Sequence, residues 1–255
     1  MKKLWLCAAI LFAAFSAIAA VPTGDLLEGV RPGPDGRIDV ITIFPHPDDE
    51  VAYSGGTLIK MKSDPRVRVH ILCMTLGDLS PAKDTLKITP EKMAEIRSQE
   101  LRAVGAVLKA DEVIQWNYHD QGLEKADQKE LYQRILDAIN KADAEVIIGY
   151  GPEGISGHTD HVVGYKLTQE AFKNSKAQKL FYVNVPKILY PIYRSYSKTD
   201  LLPATVKVDI RCCRKMKLLA LDEHASQKFF IGPVEKLEFS VVFNYEYYTL
   251  GGSKQ

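Results

Sequence analysis

The chain has 255 residues, of which 46% are hydrophobic and 25% charged, and its 33 Lys+Arg face 32 Asp+Glu. A balance this even excludes binding to nucleic acid or an anionic membrane driven by bulk charge. The composition is that of an ordinary globular protein, and the length fits one α/β domain.

The first twenty residues read as a leader. Met1-Lys2-Lys3 is a short cationic start, residues 4–20 are apolar apart from Ser16, and Ala17-Ile18-Ala19 is an A-x-A cleavage site. Residues 1–20 are therefore expected to be a cleaved signal peptide, giving a secreted or periplasmic protein. The apolar run is slightly short for a spanning helix, and the chain meets a membrane only if that segment stays uncleaved. Removing Lys2 and Lys3 shifts the net charge from +1 to about −1. Cys73, Cys212 and Cys213 then remain, too few for a disulfide scaffold. Cys73 lies in an apolar run, and the adjacent pair could pack in the core or supply a partner for Cys73.

Residues 21–36 are rich in Pro and Gly and form an irregular lead-in to a single domain over 37–255. Residues 37–44 are β-branched and apolar, as in a buried parallel strand. A short helix over 53–61 and a strand over 67–76 follow. Thr89-Pro90-Glu91 is a helix start, with a capping hydroxyl, Pro at the first helical position and an early acid. That helix runs to Leu108. Strands are expected over 112–116, 145–150, 180–185 and 205–210, and helices over 127–141, 160–174 and 214–224. Residues 238–250 alternate aromatic and aliphatic side chains and read as extended. Strands alternating with helices imply an α/β, Rossmann-like architecture, with a mostly parallel sheet and helices on both faces. In such sheets ligands sit beyond the carboxyl ends of the strands.

Two strand-to-helix loops carry the chemistry. The first reads Phe44-Pro45-His46-Pro47-Asp48-Asp49-Glu50. The second runs from Gly151 to His161 and ends His158-Thr159-Asp160-His161. His46 and Asp49 are three residues apart, as are His158 and His161, so each pair can present both side chains on one side of a turn. Two histidines and a carboxylate suit a catalytic zinc, which keeps one position open, and they suit Fe²⁺ or Co²⁺ as well. The remaining acid or histidine of each loop is free to move protons. Asp48 and Asp49 point different ways, so one can bind metal while the other acts as a base. The chain has no C-x-x-C for a thiolate site and no G-x-G-x-x-G for a dinucleotide.

These two motifs resemble the LmbE-like or PIG-L family of zinc-dependent N-acetylglucosaminyl deacetylases. The likeness extends to Thr75-Leu76-Gly77-Asp78, to Glu95-Ile96-Arg97-Ser98-Gln99-Glu100 and to His224-Ala225-Ser226-Gln227, spanning residues 38–228. The resemblance implies a Rossmann-like sheet, zinc on His46, Asp49 and His161, and Asp48 as general base. It implies that His158 stabilises the oxyanion, with Asp160 tuning that imidazole. It points Arg97 and Asp120 toward substrate oxygens. The implied substrate is an N-acetylated amino sugar or glycoconjugate.

Bottom-up, Arg97 borders an apolar helix stripe of Met93, Ile96, Val104 and Leu108, so its guanidinium needs a buried acceptor. That acceptor is a substrate oxygen or a loop acid. Asp120 follows a strand end and either binds substrate or forms a turn. His224 sits at a helix end, which favours His⁺ without any function, and it either lines the pocket and binds substrate or rests there for that reason alone. His70 and His119 read as structural. Phe239, Phe243, Tyr245, Tyr247 and Tyr248 alternate between core and surface or form a sugar-stacking wall. Rival functions are hydrolysis of another amide, such as a mycothiol- or bacillithiol-type conjugate, and a non-catalytic metal- or sugar-binding module. The sequence leaves the oligomeric state open, a homo-oligomer included.

Overall fold

The computed structural model describes residues 21–227 and 244–254. The expected leader, Phe239 and Phe243 lie outside them. Strand β1 (Ile38–Phe44) is buried along all seven residues. β2 (Val67–Thr75) and β4 (Val146–Gly149) flank it in parallel, with Val40 opposite both Val69 and Val146. β3 (Glu112–Tyr118) extends the sheet beyond β2, and β5 (Lys179–Asn184) extends it beyond β4, both in parallel. β6 (Val206–Asp209) does not join β5 directly. β7 (Tyr245–Ser253) lies between them and runs antiparallel to each. The order across the sheet is β3-β2-β1-β4-β5-β7-β6.

The connecting helices are α1 (Asp49–Met61), α2 (Ala82–Leu86), α3 (Pro90–Leu108), α4 (Gln128–Lys141), the single turn α5 (Gly154–Gly157), α6 (Thr159–Asn174), α7 (Tyr190–Ser197) and α8 (Arg214–Glu223). β1 shows why they cover both faces. Successive side chains of a strand point to opposite sides. Val40 and Phe44 pack with Leu58, Leu101, Val104 and Ala220, from α1, α3 and α8. Ile41 and Ile43 pack with Leu131, Ile135 and Phe172, from α4 and α6. Each such side chain contributes about 1.5–3 kcal/mol by burial.

The expected α/β fold is the one observed, and most elements fall within a few residues of their expected bounds. Thr89 caps α3, its hydroxyl accepting from the Lys92 N–H at 3.3 Å. α1 starts at Asp49, four residues before its expected start. Its polar opening hides the helix from a search for apolar periodicity, yet Asp49 and Glu50 are favourably placed against the helix dipole. The long extended segment proves to be a strand only from Tyr245. There Glu246 and Tyr248 turn inward, whereas Tyr245 and Tyr247 are half-buried. Tyr248 belongs to the core, and the described part of the segment therefore alternates between core and surface. Cys73, Cys212 and Cys213 are free.

The strand order positions the site. From β1 the chain builds outward through β2 and β3, then returns to the other side of β1 as β4. The loops leaving β1 and β4 diverge at this reversal and open a crevice at the carboxyl ends of the strands. These are the two loops with the histidines and acids.

Candidate active site

The first loop is held in an unusual shape. Pro45 O accepts the Thr75 N–H at 2.9 Å, which ties the end of β1 to β2. Asp48 has φ 130°, a conformation L-residues rarely adopt. Three contacts impose it. Arg97 Nη2 donates to Pro47 O and to Asp48 Oδ2, the latter at 2.8 Å, and the Asp48 N–H donates to Glu50 Oε2 at 3.1 Å. Arg97 also donates to Gly77 O at 3.1 Å. Gly77, at φ +60°, has to lack a side chain, because a Cβ there would lie 2.3 Å from Nη1 of Arg97.

The second loop and the first bring three electron pairs together. His161 Nδ1 lies 2.9 Å from the carbonyl oxygen of Gly154. A carbonyl only accepts, so the ring proton sits on Nδ1 and Nε2 is a bare lone pair. His46 Nε2 lies 3.1 Å from Asp120 Oδ1 and 3.3 Å from Asp160 Oδ2, which places a proton on Nε2 and turns Nδ1 to the other side. His46 Nδ1 is 3.1 Å from His161 Nε2 and 3.5 Å from Asp49 Oδ2, and the remaining pair is 3.6 Å apart. A tetrahedral ion with bonds of about 2.1 Å holds its ligands about 3.4 Å apart. The triad therefore fits a divalent metal in both spacing and donor type.

Two other donor groupings share His46: one with His158 and His161, the other with Asp120 and Asp160. The second lies on the Nε2 side. Its carboxylates are the acceptors that orient a ligating imidazole, a usual arrangement behind a metal. His158, one third exposed, lies with its ring centroid 4.6 Å from that of His46 and its Nε2 3.7 Å from Asp120 Oδ1.

The charges are consistent with this division. Burial opposes ionisation of Asp49, but His161, His46 and the Tyr150 hydroxyl hold it well below the usual carboxylate range. Burial pushes His161 down to about 4. Burial also opposes a proton on His46, yet Asp120, Asp160 and Asp49 outweigh it and raise that ring well above its ordinary value. A cation is wanted at this point whether a proton or a metal supplies it. Burial raises Asp48 to about 6 against the pull of Arg97.

The sequence profile described as PIG-L: GlcNAc-PI de-N-acetylase matches residues 41–172, a span holding both loops. The chain belongs to the PIG-L family. It is 27% identical to the probable N-acetyl-alpha-D-glucosaminyl L-malate deacetylase 2 of Bacillus anthracis over 189 residues, 74% of this chain and 80% of that protein. Its fold is similar to that of the N,N'-diacetylchitobiose deacetylase of Pyrococcus horikoshii, with TM-score 0.66, 21% identity and 83% of each chain covered. It is also similar to the 4-carboxy-2-hydroxymuconate hydratase of Pseudomonas putida, with TM-score 0.65, 16% identity, and 86% of this chain and 98% of that one covered. One fold thus serves a deacetylase and a hydratase, and the reaction has to be argued from the site.

Against the expectations for a PIG-L site, the structure brings His46, Asp48, Asp49, Asp120, His158, Asp160 and His161 into one crevice. Three residues differ in their contacts. The Asp160 carboxylate accepts from the N–H groups of Gln121 (2.7 Å) and Leu123 (3.1 Å) and faces His46, not the ring of His158. It is the Asp160 backbone N–H that meets His158, donating to Nδ1 at 3.2 Å, because His158 caps α6. Arg97 is 3% exposed and turns to the loop acid Asp48 and to two loop carbonyls, those of Pro47 and Gly77. His224 is 1% exposed, enclosed between Glu50 and Glu100, and so does not line the pocket. Asp120 reaches the crevice with Oδ1 against His46 and 3.7 Å from His158 Nε2. His70 bridges Asp39 and Glu112, and the exposed His119 bonds Asp78 at 2.7 Å, both structural contacts.

Tyr150 is the residue that sequence reasoning missed. Its ring stacks on His161 at 4.0 Å and 12°, and its hydroxyl donates to Asp49 Oδ1. Its place at the end of β4, just before the second loop, was the available signal. Tyr150→Phe removes a partner of Asp49, a candidate metal ligand, and should weaken zinc binding about 10–100-fold, with the fold intact, as read by chelator competition.

His224 gives a stability prediction. Burial disfavours its charge, but Glu100 and Glu50 raise its pKa from 6.5 to about 9. A pKa raised on folding contributes stability fully below the unfolded value and loses it as pH rises through the folded one. Wild-type urea stability should therefore fall between pH 6.5 and about 9, by at most an amount on the order of 3 kcal/mol. His224→Gln should flatten that slope, and an unchanged slope would refute the assignment.

Proposed function

We propose that this chain is an exported, zinc-dependent hydrolase that removes the acetyl group from an N-acetylglucosamine-type sugar or glycoconjugate. The observation that carries the reading is the convergence of His46 Nδ1, Asp49 Oδ2 and His161 Nε2 beside a neighbouring acid, Asp48, that Arg97 holds in place. The deacetylases among its relatives support the acetyl group and the amino sugar. Residues 1–20, with their cationic start and A-x-A site, support export. Amino-terminal sequencing of the secreted protein tests that part, with a start after Ala19 or Ala20 expected.

In this reading His46, Asp49 and His161 hold the metal. Such an ion supplies Lewis acidity, which acidifies water and draws electron density from a carbonyl oxygen. Asp48 accepts a proton from the attacking water at its free carboxylate oxygen. Arg97 fixes the other oxygen, so the base needs no reorientation. His158 acts as a neutral donor. Its Nδ1 already accepts an N–H at the first turn of α6, and both that bond and the helix dipole disfavour an imidazolium. Burial lowers its pKa further. The ring proton therefore sits on Nε2, where it can donate to the oxyanion. Asp120, 3.7 Å from that nitrogen, orients the ring. As the C–N bond breaks, Asp48 returns its proton to the departing amine.

The test is acetate release from a panel of N-acetylglucosamine derivatives, using protein stripped of metal and then reloaded with zinc. Zinc-restored release is expected. Zinc-loaded protein that binds these sugars without releasing acetate would identify a binding module and reject the hydrolase.

A further inference from the structure

Asp48 is held from two sides, and only one of them is direct. Arg97 and Glu100 lie three residues apart on α3, so both face the same way. Arg97 reaches Asp48 itself. Glu100 reaches it through two other residues. Its Oε1 accepts the Ser226 N–H and its Oε2 the Ser226 hydroxyl, both at 2.7 Å, which fixes the carboxylate. His224 stands between this carboxylate and Glu50, with Nδ1 3.9 Å from Glu100 Oε2 and Nε2 3.0 Å from Glu50 Oε1. The other oxygen of Glu50 accepts the N–H of Asp48 at 3.1 Å. His224 and Glu50 are each 1% exposed. Two buried carboxylates this close to one another and to Asp48 repel unless a cation separates them, and His224 is placed to be that cation.

We infer that His224 is a positioning residue, which acts through Glu50 to hold the strained Asp48 backbone in the orientation a base requires. Without His224, the Glu50 carboxylate loses the imidazole 3.0 Å from its Oε1 that fixes its position. It then ceases to be a firm acceptor for the Asp48 N–H, and Asp48 relaxes from φ 130°, leaving Arg97 to hold the carboxyl alone. The role is distinct from binding substrate, because an enclosed imidazole cannot touch one.

The inference rests on the proposed hydrolase reading for its kinetic test but not for its spectroscopic one. In zinc-loaded full-length protein, His224→Gln should lower kcat about 10–100-fold with KM and zinc content unchanged. The same substitution made in an Asp48→Asn background should have no further effect, because the group it positions is already inactive. Independently of turnover, the Asp48 amide proton, shifted downfield by its carboxylate acceptor, should move upfield in His224→Gln. If His224→Gln does not fold, Glu100→Gln is measured in its place and should give the same kinetic pattern. A kcat within twofold of wild type, a full additive loss in the Asp48→Asn background, or an unmoved Asp48 amide would each overturn the inference. A wild-type protein that releases no acetate would instead sink the proposed function and leave the amide shift as the deciding readout.

Discussion

Asp48→Asn is expected to lower kcat by about 10²–10⁴-fold, the usual contribution of a general base, while zinc content stays at the wild-type level. Asn has the size of Asp and can still accept from Arg97 through its amide oxygen, so the loop should keep its shape. It cannot take a proton from water. The pH profile gives a second check. Burial raises the Asp48 carboxyl to about 6, and a nearby divalent ion would act in the opposite direction and lower it. The base works only when ionised, so kcat/KM should rise with pH through a limb at or below pH 6 and be level above it. That limb should vanish in the variant. Turnover within about threefold of wild type would remove Asp48 from the mechanism.

His161→Ala should abolish zinc retention and, with it, acetate release. Partners behind a ligand typically contribute 10–100-fold to metal affinity, and loss of a direct ligand should exceed that. The His161 ring is also fixed twice over, by the Gly154 carbonyl and by stacking on Tyr150. Metal analysis after dialysis should find zinc in the wild type and almost none in the variant. Zinc should raise the melting temperature of the wild type by mass action and leave the variant unmoved. Stoichiometric zinc in His161→Ala would mean that the ion sits elsewhere, with the grouping of His46, Asp120 and Asp160 the first alternative.

What could be read from the sequence was local. β1 is legible because seven consecutive residues are buried, and a β-branched run is what such burial demands. α3 is legible because Thr89 and Pro90 announce its start. The two motifs could be found because each carries its donors three residues apart. What could not be read was pairing across the chain. His46 and His161 are 115 residues apart and meet only because the strand order reverses between β1 and β4. The partners of Arg97, Asp160 and His224 are likewise distant, and no periodicity states which of two nearby acids a cation will choose. For Arg97 the loop acid was the one chosen. His224 is enclosed by Glu50 and Glu100, and a polar residue at a helix end gives no sign of that in the sequence.

β7, the last of the described strands, is not an edge strand. β7 fills the gap between β5 and β6. A chain truncated before Tyr245 would leave both neighbours with bare backbone donors and acceptors, an invitation to aggregate. Closure of the sheet between β5 and β6 therefore waits until Tyr245–Ser253 has been made and is free to pair.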